Sequence, residues 1–349
     1  DQLGDQGGFG SVHRAQWRNS PVVVKMLLNT IQSADSIHSF FHEAKLAIQA
    51  MSPYIVQVFG VCKTPPAIIM EELQDSVWRC LRQKEKAKSL SSKKRPNLPS
   101  EWPDRLRWAV QAAKGIEYLH TRRPVIVHAD IKSPNFLISS AGTVKITDFG
   151  LSQIRNESSL LMEMDGFLAP RKGKVGCTVP WSSPEILDLI RPTPASDVYA
   201  FGVFLWEIAT CRVPFDGVQA HTIVSRIKEL ELEEVHPLVS QLRAKCSPHQ
   251  PDPLPLAFES LVASCLSAKA TDRPPMSRVR HQLEHLLAQC HSGDSSPTNS
   301  SPPTPLSPAS PTDPQDALLV THFQPTSSFS AEEGHQAPPT VGFDIALDS

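Results

Sequence analysis

The first chemistry in the sequence sits in a glycine-rich turn, Leu3-Gly4-Asp5-Gln6-Gly7-Gly8-Phe9-Gly10-Ser11-Val12. Gly4, Gly7, Gly8 and Gly10 carry no Cβ and tolerate positive φ, so a hairpin backbone here can approach phosphate groups closely. Val12 follows Gly10 by two residues, where an apolar side chain can cover a flat base. Such a turn alone also suits a plain hairpin. A second signal sharpens it. Val22-Val23-Val24-Lys25 ends an apolar strand on a lysine, and a buried ammonium group needs an anion to meet. Glu43, within Phe40-Phe41-His42-Glu43-Ala44-Lys45, lies on the following helical segment, from which it can pair with Lys25. Taken by itself, a helical glutamate is usually part of a solvated face.

Further on, Ile126-Val127-His128-Ala129-Asp130-Ile131-Lys132-Ser133-Pro134-Asn135-Phe136-Leu137 is followed, a short hairpin later, by Lys145-Ile146-Thr147-Asp148-Phe149-Gly150. With these strings the chain resembles the protein-kinase family, in order, from Gly4 to about Arg280. The resemblance implies a two-lobed α+β fold, with ATP and Mg2+ as cofactors and a protein hydroxyl as acceptor of the γ-phosphate. It implies that Asp130 accepts or orients the hydroxyl proton and that Lys132 steadies charge on the transferring group. Lys25 would hold the α- and β-phosphates while Glu43 orients it, and Asn135 and Asp148 would hold magnesium. Around the base it implies Val12, Val23, Met70, Glu71, Leu73 and Leu137, with Met70 as gatekeeper. Gly4, Gly7, Gly8 and Gly10 would cover the phosphates. A kinase fold kept as a nucleotide-binding scaffold is the alternative from another class; Lys25, Glu43, Asp130, Lys132, Asn135 and Asp148 are all present, which favours chemistry.

Downstream strings extend the resemblance. Pro180-Trp181-Ser182-Ser183-Pro184-Glu185 closes the activation segment, and Arg273 of Thr271-Asp272-Arg273-Pro274-Pro275 is the expected partner of Glu185. Asp197 is expected to hydrogen-bond the catalytic-loop backbone. Ser196–Gly202, Leu205-Trp206-Glu207-Ile208 and Arg14–Lys25 look like the tyrosine-kinase-like branch, which includes Raf-like and mixed-lineage kinases. Lys132, two places after Asp130, and Thr178, seven before Glu185, match the serine/threonine form; a tyrosine or dual-specificity enzyme is the disfavoured alternative. Four positions depart from the pattern: Asp5 where the first glycine is expected, Val23 for alanine, the large Met70, and Ala129 for arginine. Ala129, Ser39 and Gln153 would line the pocket for an activation-segment phosphate, and none is charged; Arg155 nearby could substitute in part, and the segment itself carries a basic run, Arg171-Lys172-Gly173-Lys174. Basal activity is therefore expected not to require phosphorylation at Ser158 or Ser159.

These residues need two bodies to position them. Residues 1–73 alternate short β-branched runs with one helical segment, the pattern of a small β lobe. Residues 74–291 form the larger lobe; in Arg105–His120 the apolar Leu106, Ala109, Val110, Ala113 and Ile116 recur at helical spacing on one face. The Lys- and Ser-rich stretch 82–100 reads as a surface insertion. Its segment Arg82–Arg95 holds seven basic residues and one acid, a docking or nuclear-import element or simply a solvated loop. From Ser292 to Ser349 Ser, Thr and Pro dominate, so this tail is expected to be disordered and to offer sites for signalling partners.

Formal net charge is −2 over 349 residues, which gives no footprint for nucleic acid. The longest apolar runs, Val22–Leu28 and Phe201–Ile208, are too short for a membrane span and read as core strand and core helix. Seven scattered cysteines without a C-x-x-C pair suggest reduced thiols, hence an intracellular, cytoplasmic protein with nuclear entry left open.

Overall fold

Alternation of β-branched residues builds the first sheet in the computed structural model, which describes residues 10–27, 34–87, 102–149, 153–155, 178–229, 236–246, 254–292, 322–323 and 345–346. Strands β1 (Gly10–Trp17) and β2 (Ser20–Leu27) form a hairpin whose turn residues Arg18 and Asn19 both have positive φ, 49° and 62°. Two such residues give the primed turn whose twist matches the strands. β3 (Val58–Lys63) and β4 (Pro66–Glu71) complete a sheet of order β1-β2-β4-β3. Its register sets Val12 opposite Lys25 and Val23 opposite Met70. Helix α1 (Ala34–Gln49) buries Phe40 and Ala44 against Leu27 and Ile68 of this sheet.

The chain then passes through β5 (Asp75–Ser76) into α2 (Val77–Ala87) and α3 (Trp102–Thr121). All five apolar positions singled out in α3 are buried, at no more than 4% exposure. Three short strands carry the motif loops: β6 (Val125–Val127), β7 (Phe136–Ile138) and β8 (Val144–Ile146); β9 (Gln153–Arg155) pairs with β6. Beyond lie α4 (Pro184–Leu187), α5 (Pro194–Thr210), α6 (Ala220–Lys228), α7 (Pro237–Arg243), α8 (Leu256–Cys265) and α9 (Met276–Ser292). α5 is the axle of this lobe. A capping box between Thr193 and Ser196 starts it, and every residue from Ser196 to Thr210 is buried, including the apolar run Phe201–Ile208. The two-lobed α+β fold is what the chain adopts.

One boundary is corrected. Residues 82–87 were expected in a surface insertion, yet they are the second half of α2. Composition misled because the basic run starts on a helix, and Arg82 faces inward, its side chain 18% exposed against the buried Glu207. Residues 88–100 of that stretch, most of the tail, and Gly4, Gly7, Gly8 and Asp5 of the glycine turn lie outside the described residues. Among the described residues no helix is long and apolar enough to cross a membrane, and the six cysteines are free thiols.

Candidate active site

Strand β2 delivers Lys25 to the face that also carries Val23, because alternate residues share a side. Its Nζ lies 2.7 Å from Glu43 Oε1 on α1 and 3.3 Å from Asp148 Oδ1 just past β8. Burial pulls the Lys25 ammonium down, but the carboxylates of Asp148 and Glu43 outweigh it and hold its pKa above the ordinary 10.5. Glu43 is pushed above the ordinary 4.5 by burial and by Asp148, against the pull of Lys25. Asp148 goes the other way: burial would raise it, yet Lys25, His128 and Lys132 hold it below 3.8. Three groups thus share one positive and two negative charges, and the surplus is negative.

The loop that carries Asp130 follows β6. Ala129 and Asp148 both adopt left-handed backbone, φ 63° and 66°, a conformation that costs a non-glycine residue about 1–3 kcal/mol and persists only when its surroundings fix it. Asp197, near the start of α5 and 1% exposed, fixes the first: Oδ1 accepts from Ala129 N at 2.8 Å and Oδ2 from His128 N at 2.9 Å. Oδ2 also lies 2.9 Å from His120 Nε2. His128 is fully buried, its Nε2 donating to Thr147 O at 3.1 Å and its Nδ1 accepting from Asp130 N at 3.3 Å. That ring links the two strained loops.

Around Asp130 three side chains converge. Lys132 Nζ lies 2.7 Å from Oδ2, Asn135 Nδ2 donates to the same oxygen at 2.9 Å, and the Thr178 hydroxyl donates to Oδ1 at 3.2 Å. Lys132 also donates to Thr178 Oγ1 at 3.0 Å, closing a triangle. Asn135 spends its amide protons on Asp130, through Oδ2 and the main-chain O at 2.8 Å, so its carbonyl oxygen is the end available to a cation. With the Asp148 carboxylate, 43% exposed, it makes an oxygen-only donor pair. No group of three or more His, Cys, Asp or Glu suited to a metal occurs among the described residues. A two-ligand site suits magnesium, which keeps several waters and takes phosphate oxygens.

Val12, Val23, Met70 and Leu137 come from β1, β2, β4 and β7, with Val23 buried and the other three half-buried. Met70 also lines a small recess with Glu43, Ala44, Val58 and Phe149. Glu71 is brought to the junction of the lobes, but its side chain turns to Lys145 on β8; Leu73 follows it there, outside any strand. Gly10 opens β1.

The large lobe is anchored by buried charge. Arg273, its side chain fully buried, grips Glu185 with two parallel bonds of 2.7 and 2.9 Å and donates to the carbonyls of Ser267, Ala195 and Ala268. Burial would raise Glu185, but Arg273 holds it below 4.5. Sequence reasoning missed a second anchor. Glu207, fully buried, accepts from Arg82 Nη2 at 2.9 Å, Ser133 Oγ at 2.7 Å and Trp181 Nε1 at 2.9 Å. One signal was there: a single acid inside the apolar run of α5 requires partners. Ala129 stands where the family pattern has an arginine and carries no charge. Ser158, Ser159 and the basic run 171–174 lie outside the described residues, and of Gln153, Ser39 and the candidate substitute Arg155 only the backbone is described.

Residues 1–283 match the family model of protein tyrosine and serine/threonine kinases. The chain belongs to the protein kinase family. Among similar proteins, serine/threonine-protein kinase CTR1 of Arabidopsis thaliana is 34% identical over 253 residues, 70% of this chain and 28% of its own length. Probable serine/threonine-protein kinase SIS8 of the same plant is 32% identical over 251 residues, 69% of this chain and 22% of its own length. Probable serine/threonine-protein kinase drkA of Dictyostelium discoideum is 29% identical over 288 residues, 82% of this chain and 39% of its own length. This kinase chain therefore spans well under half the length of these curated relatives. Proteins of the family use ATP and Mg2+ and act on protein substrates.

Proposed function

We propose that this kinase domain phosphorylates serine and threonine on protein substrates in intracellular signalling. The observation that carries the reading is the triangle of Asp130, Lys132 and Thr178, which leaves a carboxylate oriented by two donors where a hydroxyl proton must go. The relatives' names, all serine/threonine kinases, support the same choice of hydroxyl.

Each step follows from a named group. Asp130 accepts the proton of the acceptor hydroxyl as its oxygen bonds to phosphorus and the bond to the β-phosphate oxygen breaks. Lys132, 2.7 Å from Asp130, lends positive charge to the oxygens of the transferring group. Lys25, kept charged by its two carboxylates, holds the α- and β-phosphates, and Glu43 sets its direction. Asn135 and Asp148 would hold magnesium, which would neutralise phosphate charge. Val12, Val23, Met70, Glu71, Leu73 and Leu137 take the base and Gly4, Gly7, Gly8 and Gly10 cover the phosphates. On this reading the catalytic unit is 1–291, the 292–349 tail serves partners, and activity needs no phosphate on the activation segment because Ala129, Ser39 and Gln153 offer it no charge, with Arg155 only a partial substitute.

The test is transfer of labelled phosphate to myelin basic protein with and without Mg2+. The expected result is Mg2+-dependent phosphoserine and phosphothreonine. Asp130→Asn should lower it by about a thousandfold or more while Mg–ATP affinity stays within a few-fold. Nucleotide binding without transfer would make the chain a scaffold; phosphotyrosine alone would overturn the hydroxyl assignment.

A further inference from the structure

Two consecutive acids at the lobe junction are tied to different bodies. Glu71, the last residue of β4, has Lys145 Nζ 2.6 Å from one carboxylate oxygen and 2.8 Å from the other. Its Oε1 also accepts from Gln57 N at 2.7 Å, and its own N donates to Gln57 O at 3.0 Å. Both side chains are largely covered, 16% exposed for Lys145 and 20% for Glu71. Glu72 instead meets Arg14 of β1, whose side chain is 52% exposed. One acid travels with the small sheet; the other is held to the large lobe.

The base of that hold is rigid. Lys145 sits on β8, and its neighbour Ile146 exchanges backbone bonds of 2.9 Å with Tyr54 O and Val56 N. Segment 54–57 is therefore strapped to β8. α3 presses close to both at Gly115, where an added Cβ would lie 2.9 Å from Tyr54 O and 2.8 Å from Ile146 Cδ1. Only a residue without a side chain allows that approach. Glu71, Gln57 and Lys145 thus form a junction fixed by backbone as well as by charge.

We propose that Lys145 is a positioning residue for the adenine edge of the nucleotide cleft, acting through Glu71 to hold the backbone of residues 71–73 at a set distance from β8. The inference rests on the nucleotide-site reading above. Lys145 touches neither phosphate nor acceptor in this scheme; it determines where the backbone donors and acceptors beside the base stand. Without it Glu71 keeps only the Gln57 amide for a largely covered carboxylate, so the side chain swings toward water and the backbone at the junction moves with it. The loss falls on recognition of the base, not on the phosphates.

Direct binding of adenosine and of Mg–ATP to the full chain separates these effects. Lys145→Met should weaken both ligands by the same factor, about tenfold, because the common adenine contact is what suffers. Lys145→Arg, which keeps a bidentate donor, should stay within about threefold of wild type. Lys25→Met serves as the contrast: it should weaken Mg–ATP and leave adenosine unchanged. If Lys145→Met does not fold, Glu71→Gln gives the same readout with the lysine in place. Unchanged affinities in the Lys145 or Glu71 variant, or a loss confined to Mg–ATP, would overturn the proposal. A wild type that binds neither ligand would remove the nucleotide-site reading itself, a different and distinguishable failure.

Discussion

Buried charge does two different jobs in this molecule. At the cleft, Lys25 serves two carboxylates, one of them 43% exposed, and Glu43 is held above its ordinary pKa. In the large lobe Arg273 serves one carboxylate with two bonds, fills its remaining donors with main-chain carbonyls, and leaves Glu185 below its ordinary pKa. The cleft trio sets two carboxylates against one ammonium and is partly wet, with Lys132 the further positive charge acting on Asp148. The Glu185–Arg273 pair is complete. Unbalanced charge marks the place where something binds, and balanced charge marks the frame that keeps it in place.

Breaking the complete pair should have the largest effect. Arg273→Met strands a covered Glu185 and should cost about 3–5 kcal/mol of stability. Adding Glu185→Leu should recover much of that loss, because the stranded charge disappears. Chemical denaturation measures both; a single variant within about 1 kcal/mol of wild type would mean that the pair is not structural.

Breaking the cleft trio should leave the fold and take the chemistry. Lys25→Met and Glu43→Gln should each lower kcat/KM by about a hundredfold with the melting temperature held within a few degrees. The double variant should be far from additive, since both changes remove one unit. Strict additivity would show that the 2.7 Å contact has no part in turnover.

Acid sharpens the contrast with the smallest effect. Glu185, with a depressed folded pKa, contributes stability that is present above the unfolded value of 4.5 and lost as pH falls through the folded pKa. Glu43, with a raised folded pKa, contributes stability that is present below 4.5 and lost as pH rises through the folded pKa. Calorimetry of the nucleotide-free protein between about pH 2.5 and 8 should show the melting temperature falling on the acid side, below the unfolded value of 4.5. Glu185→Gln should reduce that limb, leaving the part that the depressed Asp148 contributes. Glu43→Gln should leave it and raise the melting temperature near neutral pH by a few degrees at most. An acid limb that vanishes in Glu43→Gln would reverse the assignment.

What the sequence made legible was local or periodic. Asp130, Lys132 and Asn135 lie within six residues, so their convergence on one carboxylate follows from a single loop. The α3 face followed from helical spacing. Thr178 and Arg273 were legible only because each stands at a fixed step in a recognisable string. Contacts made by single residues across long stretches of chain left no pattern. Glu71 and Lys145 are 74 residues apart, and Arg82 and Glu207 are 125 apart. Arg82 was also disguised by its neighbours. Basic composition pointed to solvent, but the guanidinium lies over the Trp78 ring, 3.2 Å from its centroid, and reaches Glu207. Composition averages over a segment, whereas burial is decided side chain by side chain.

Asp197 gives the catalytic loop a place in the order of folding. The loop's two leading amides are satisfied by a carboxylate 68 and 69 residues further along, on a helix buried from Ser196 to Thr210. A chain emerging from the N-terminal side carries Asp130 long before it carries the residue that gives the loop its shape. Until α5 is in place, the loop lacks the carboxylate that fixes Ala129 in its left-handed conformation. Forms of the chain in which α5 is not yet in place therefore carry Asp130 without the contacts that shape its loop.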